Sequence, residues 1–133
     1  MTVQKAIVEG GIRAVIMPPG EYWVGDPCYA VPDARWDEWL DVAGVNAVPF
    51  PRFLFGELDS YPVLGIGTVY GDGEYHDDRN RSYPVDAGLI GLTPFKIARA
   101  DVFGSHRMVF GNAFRCEYQD GVIVLGHIRI DTN

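Results

Sequence analysis

The chain has 133 residues, 47% apolar and 13% aromatic, with a formal net charge of −7 and a sequence pI near 4.7. That length fits one domain, and the apolar fraction is enough to offset the ordering entropy of a packed core without disulfides. The acidity excludes a phosphate-backbone partner, because lysine occurs only at Lys5 and Lys96 and Arg79 and Arg81 are the one close basic pair.

In chain order, residues 12–17 read as a short strand stopped by Pro18-Pro19-Gly20, and 21–24 resume extended structure before Gly25-Asp26-Pro27. A helix is predicted next. Asp33 can cap it, Trp36, Trp39 and Leu40 fall at i, i+3 and i+4, and Gly44 is a natural stop. That spacing makes the tryptophans a core-facing stripe. From 48 to 55, Pro49 and Pro51 suit an edge or an extended loop whose Phe50, Phe53 and Phe55 cover the core. Residues 61–70 read as a strand in which Gly65 and Gly67 allow another backbone or a ligand to approach closely.

Two Asp-Gly pairs predict hairpins, because this dipeptide supplies the positive φ angles of a type I′ turn. Around Asp72-Gly73 a two-residue loop would set Tyr70 against Tyr75 and Val69 against His76. Around Asp120-Gly121 it would set Tyr118 against Ile123, Cys116 against Leu125 and Phe114 against His127, placing His127 on an apolar face. Between them, 85–92 reads as a strand entered through Asp86, and 95–103 suits either a strand or a short helix. The expectation is a single domain over 1–133 of the α+β class, mainly antiparallel β (sheet, sandwich or partly open barrel) with one short amphipathic helix.

Three glycine-flanked aspartates are the candidate functional positions. Asp26, in Gly25-Asp26-Pro27-Cys28-Tyr29, either binds a ligand or holds its own turn. Asp72 sits with Glu74, His76, Asp77 and Asp78 at a hairpin tip that lacks the EF-hand spacing. Asp86 lies in the stretch Val85-Asp86-Ala87-Gly88-Leu89-Ile90, where burying an acid is costly unless it is hydrogen-bonded or has a task.

Other motifs exclude more than they assign. Cys28 and Cys116 lie far apart outside any CxxC pair, which disfavours a disulfide scaffold or zinc knuckle and suits a reduced, cytoplasmic setting. Residues 1–9 lack the pattern of a secretory signal, no apolar run would span a bilayer, and neither export by that route nor membrane insertion is expected. Gly65-x-Gly67 does not continue into a dinucleotide fingerprint, and Walker, HExxH and GxSxG patterns are missing, so no cofactor and no metal are expected. Ser105-His106 has no visible third partner for a triad.

The segments Gly25-Asp26-Pro27-Cys28-Tyr29, Tyr70-Gly71-Asp72-Gly73-x-Tyr75 and Val85-Asp86-Ala87-Gly88-Leu89-Ile90-Gly91 resemble a group of small, uncharacterised proteins of phages and bacteria. The resemblance spans roughly residues 20–92 and implies a phage or bacterial accessory protein, of a kind that often acts by binding a host protein or a small signalling molecule. It carries over no catalytic residue. The expected function is non-catalytic binding of a small polar, nucleotide-like ligand or of a host protein, by a homo-oligomer. The expected ligand-binding residues are Asp86, Asp26, Tyr29, Tyr70, Asp72, Tyr75 and His76, with Arg79 and Arg81 for an anionic group. Two alternatives stand beside it: a small hydrolase or lyase with Asp86 and Asp26 or Asp72 as acid and base, and a structural or assembly role.

Overall fold

The computed structural model describes residues 4–8, 12–46 and 52–133. Within them, alternation of buried and exposed side chains builds two antiparallel sheets and a separate hairpin. The first sheet has the order β1 (Gln4–Val8), β2 (Ile12–Met17), β10 (Phe114–Gln119), β11 (Val122–Leu125), β12 (Ile128–Asp131). The second runs β4 (Phe53–Leu58), β5 (Tyr61–Gly67), β8 (Leu89–Pro94), β3 (Gly20–Gly25), β9 (His106–Phe110), and the hairpin is β6 (Gly73–His76) with β7 (Ser82–Val85). The sandwich option among the predicted architectures is the one formed.

Strand β10 shows how the period of two creates the core: Phe114, Cys116 and Tyr118 are buried while Arg115 and Gln119 are exposed. They join Val15, Met17, Ile123, Leu125, Ile128 and Ile130 of the first sheet in one cluster with Tyr22, Val24, Leu64, Ile66, Ile90 and Leu92 of the second. Each such fully buried aliphatic side chain stabilises the fold by about 1.5–3 kcal/mol. The hairpin adds Tyr83 and Val85 to the same cluster, and Asp77 bridges to Ile130 on β12.

The outer face of the second sheet carries a smaller core. Leu54, Leu58, Val63 and Leu89 meet Val31, Trp39 and Ala43, so the helix α1 (Trp36–Val42) forms a third layer. Trp39 is wholly buried, and its Nε1 donates to the carbonyl of Val63 at 3.3 Å. Gly44, at φ 74°, ends the helix as predicted, with the amide of Val45 bonded to Leu40 O and that of Gly44 to Asp41 O. The predicted cap is corrected. Asp33 lies inside a 3-10 turn (Asp33–Arg35) opened by Pro32, and the cap position of α1 falls on Arg35, which makes no side-chain cap bond. Arg35 instead bonds both Glu38 and Asp59, fastening the helix start to the β4–β5 turn.

Glycines set the spacing of that third layer. Gly25, Gly91 and Gly65 are cross-strand partners on β3, β8 and β5. A Cβ on Gly65 would stand 2.9 Å from Trp39 Cη2, and one on Gly91 would overlap the carbonyl of Leu64. At Gly65 the close approach is made by side chains, the indole of Trp39 and the ring of Pro27, in place of the expected backbone or ligand, whereas at Gly67 the backbone of Arg52 comes within 3.2 Å of where a Cβ would stand.

The Asp120-Gly121 hairpin forms in the predicted register from Cys116↔Leu125 to Gln119↔Val122, with φ of 50° and 83° at the turn. The pairing continues only to the Gly126 amide, which donates to Arg115 O at 2.9 Å, and the chain then turns at Gly126, φ 65°. His127 therefore does not face Phe114; it is exposed in the β11–β12 turn, its ring tilted against Phe110 at 5.6 Å. The Asp72-Gly73 hairpin is not formed. β5 is hydrogen-bonded on one edge to β4 and on the other to β8, so it has no free edge for β6, which pairs with β7 and sets Tyr75 against Tyr83. Residues 85–92 are likewise two strands, with Val85 ending β7, a bend at 86–88 where Gly88 has φ 73°, and β8 starting at Leu89. Residues 95–103 form turns and bends in place of a strand or helix. Phe53 is buried and Phe55 half-buried on β4, an edge strand as expected, whereas Pro49, Phe50 and Pro51 lie outside the described residues.

Candidate functional site

Two of the three aspartate segments meet. Asp26 follows the last residue of β3, and its side chain caps the 3-10 turn Pro27–Tyr29, with Oδ1 accepting the amide of Cys28 at 3.0 Å. Its other oxygen, Oδ2, accepts the amides of Asp86 at 2.9 Å and Ala87 at 2.7 Å. The residue is 0% exposed. Burial raises its pKa, against the opposing pull of these amide bonds. Both oxygens are engaged by backbone donors, so Asp26 is a structural hub, and this geometry offers no approach to a substrate.

Asp86 reverses the sequence expectation. It is exposed, because the strand expected to bury it breaks at 86–88. Its Oδ2 accepts the hydroxyl of Tyr29 at 2.6 Å, and the Tyr29 ring meets the edge of Phe103, itself 68% exposed. Desolvation, and then the bond to Asp86, raise the Tyr29 pKa. The Cys28 thiol is pushed up to about 12, by burial first and then by the carboxylate of Asp26, so it is no thiolate nucleophile at neutral pH.

The Asp72 segment meets the Asp86 segment through backbone: Gly73 pairs with Val85, the amide of Thr68 donates to Gly88 O, and Gly71 lies beside Gly88. Asp72 is exposed, and Tyr70 is 75% exposed. Tyr75 bonds Gly71 O at 2.9 Å and Thr68 Oγ1 at 3.2 Å, while His76 is exposed with Nε2 3.6 Å from Glu74. Arg79 is exposed and donates its amide to Asp77 Oδ1 at 2.9 Å. The nine expected ligand residues therefore do not line one cavity among the described residues.

Asp77, a residue that the glycine-flanked pattern does not select, is the second buried carboxylate. It accepts the amides of Arg79 and Arg81, the Nε of Arg81 at 2.7 Å and the hydroxyl of Tyr83 at 2.7 Å. Burial opposes ionisation, yet these donors together hold the carboxyl down at about 2. Arg81 is thus committed to Asp77. His106, beside it, places Nε2 2.8 Å from Ser82 O, and its ring meets Tyr83 edge-on; Ser105 bonds Phe103 O, so the pair forms no dyad. Among the described residues no group of three or more His, Cys, Asp or Glu gathers as metal ligands.

A cavity lies elsewhere, where the Pro18-Pro19-Gly20 turn, the β4–β5 turn and the end of β8 come together. It is an open cleft of about 740 Å³ whose walls include Tyr22, Glu57, Tyr61, Phe95, Lys96 and Arg107. Phe95 stacks on Trp23 with centroids 5.1 Å apart and planes at 22°, and the guanidinium of Arg107 lies 4.4 Å over the Phe95 ring. Arg107 also pairs with Glu21 at 2.6 Å. Neither Lys96 nor Glu57 is engaged in an ion pair among the described residues. Four prolines stiffen the rim: Pro18, Pro19, Pro62 and Pro94. These residues come from distant parts of the chain and share no motif, so no local signal marks them.

Comparison with known proteins adds no assignment: no family model, no curated protein and no solved structure matches this chain. Among the described residues no helix is long and apolar enough to cross a membrane.

Proposed function

We propose that this domain is a non-catalytic binding module, of the phage or bacterial accessory kind its motifs resemble, that seats a small polar ligand in the cleft beside Phe95. The supporting observation is the cleft itself. At about 740 Å³ it falls in the usual range for small-molecule sites, about 300–1,000 Å³. It combines aromatic walls with a lysine and a glutamate whose charges are not spent on ion pairs, so a ligand bearing a polar or ionised group finds both an apolar surface and a partner. The paired-aspartate chemistry is less well supported, since Asp26 is sealed by three backbone amides.

The test is a thermal-shift and native mass-spectrometry screen of the protein against nucleotides, amino acids and small carboxylates, repeated on Phe95→Ala and Lys96→Glu. A compound that raises Tm in the parent and fails to do so in both variants supports this site. An empty screen, with no small molecule carried through purification, overturns it. A second reading, a grip on a host protein, draws on the exposed ring of Phe103 set edge-on to Tyr29. Co-purification of a partner that is lost with Phe103→Ser would favour that surface.

A further inference from the structure

We infer that Met108 is a site of peroxide oxidation whose sulfoxide oxygen is received by Arg81, linking strand β9 to the β6–β7 hairpin. The inference starts from an incomplete set of bonds. Arg81 Nε donates to Asp77 Oδ2 at 2.7 Å, which fixes the guanidinium. Its Nη1 points to the thioether of Met108, with Sδ at 3.9 Å, and its Nη2 is buried with no acceptor among the described residues. A thioether sulfur is a weak acceptor, so one donor has a poor partner and the next has none. Buried donors are nearly always satisfied, and an exception calls for a reason.

A sulfoxide would supply it. The sulfur of Met108 attacks one oxygen of hydrogen peroxide, the O–O bond breaks, and an S–O bond forms. The sulfur is oxidised by two electrons, and the departing hydroxide takes the transferred oxygen's proton to leave as water. The product replaces a weak sulfur acceptor with a strong oxygen acceptor facing Arg81. Access favours this methionine. Met108 is half-buried on β9, the last strand of its sheet, whereas Met17 is 0% exposed in the core. Methionine oxidation ordinarily disrupts packing because it puts a polar group where an apolar one stood. Here a fixed cation waits for that group, and the new bond joins a contact the same two elements already make, His106 Nε2 to Ser82 O.

The folded protein is treated with dilute hydrogen peroxide, oxygen incorporation at Met108 and Met17 is followed by peptide mass spectrometry, and Tm is recorded before and after. Met108 should gain one oxygen well before Met17, with Tm unchanged or raised. In Arg81→Lys, which removes the forked donor, the same oxidation should lower Tm by roughly 3–5 °C. A second comparison does not depend on that variant folding: Met108→Gln, which carries an amide oxygen, should melt at or above Met108→Leu. Oxidation of Met108 no faster than Met17, an equal loss of Tm in parent and Arg81→Lys, or Met108→Gln melting below Met108→Leu overturns the assignment.

Discussion

The carboxylate of Asp26 is bonded to the main chain of the Asp86 segment, its Oδ2 accepting amides from Asp86 at 2.9 Å and Ala87 at 2.7 Å. Because all its partners are N–H donors, a carboxamide cannot replace it: an Asn Nδ2 would face donors. Asp26→Asn should cost about 1–3 kcal/mol in urea denaturation. Asp86→Ala keeps the amide and loses only the Tyr29 bond, so its cost should be at most about 1 kcal/mol. Equal losses in the two variants would show that the hub has been misplaced.

The two buried carboxylates should pull stability in opposite directions with pH. Asp77 has a folded pKa of about 2, below the ordinary carboxylate value. Its ionised form therefore favours the folded state, a contribution present above about pH 4 and lost as pH falls toward 2, on the order of 1–2 kcal/mol. Asp26, with its pKa raised, contributes when protonated and loses that contribution as pH rises through its folded value. Chemical denaturation across pH should show a flatter acid limb for Asp77→Asn than for the parent. An unchanged acid limb would count against the Asp77 network.

Glycine substitutions should separate by position. Gly65→Ala pushes a methyl to 2.9 Å from Trp39 and should cost about 1–3 kcal/mol, read as a fall in Tm. Gly111→Ala meets nothing within 4 Å and should be close to neutral. If both variants melt together, the helix is not seated on the sheet by that glycine.

Thr132, 1% exposed, closes the C-terminal end by donating to Gly121 O at 2.6 Å and accepting the amide of Val69 at 3.1 Å. Thr132→Val keeps the shape and removes both bonds. A loss of about 1–2 kcal/mol is expected, with faster amide exchange at Val69. Retained protection there would argue that the 68–72 loop is held by other contacts.

What could be anticipated from residues alone was what periodicity and turn chemistry encode. The Asp120-Gly121 hairpin, the Trp36/Trp39 stripe and the Gly44 stop each depend on neighbours within a few positions, and each formed. The Asp72-Gly73 hairpin failed for a non-local reason, since β5 had already given both its edges to β4 and β8. Asp86 departs from expectation for a related reason: its neighbours in sequence are apolar, but the bend at 86–88 turns the acid outward. Asp26, expected either to bind a ligand or to hold its own turn, takes the buried position because two of its partners lie some sixty residues away. The cleft depends on the meeting of three turns, which no spacing rule encodes.

The Gly25–Gly91–Gly65 row has a consequence for how this surface could evolve. Three absent side chains lie in a row across the sheet, and at its Gly65 end Pro27 comes within 3.4 Å of where a Cβ would stand, next to Asp26, whose carboxylate accepts the 86–87 amides. A methyl group at Gly65 would press on Trp39 and Pro27, one at Gly91 on the backbone of Leu64, and one at Gly25 on Ser105. The height of what packs over this row is therefore set by atoms that are not there.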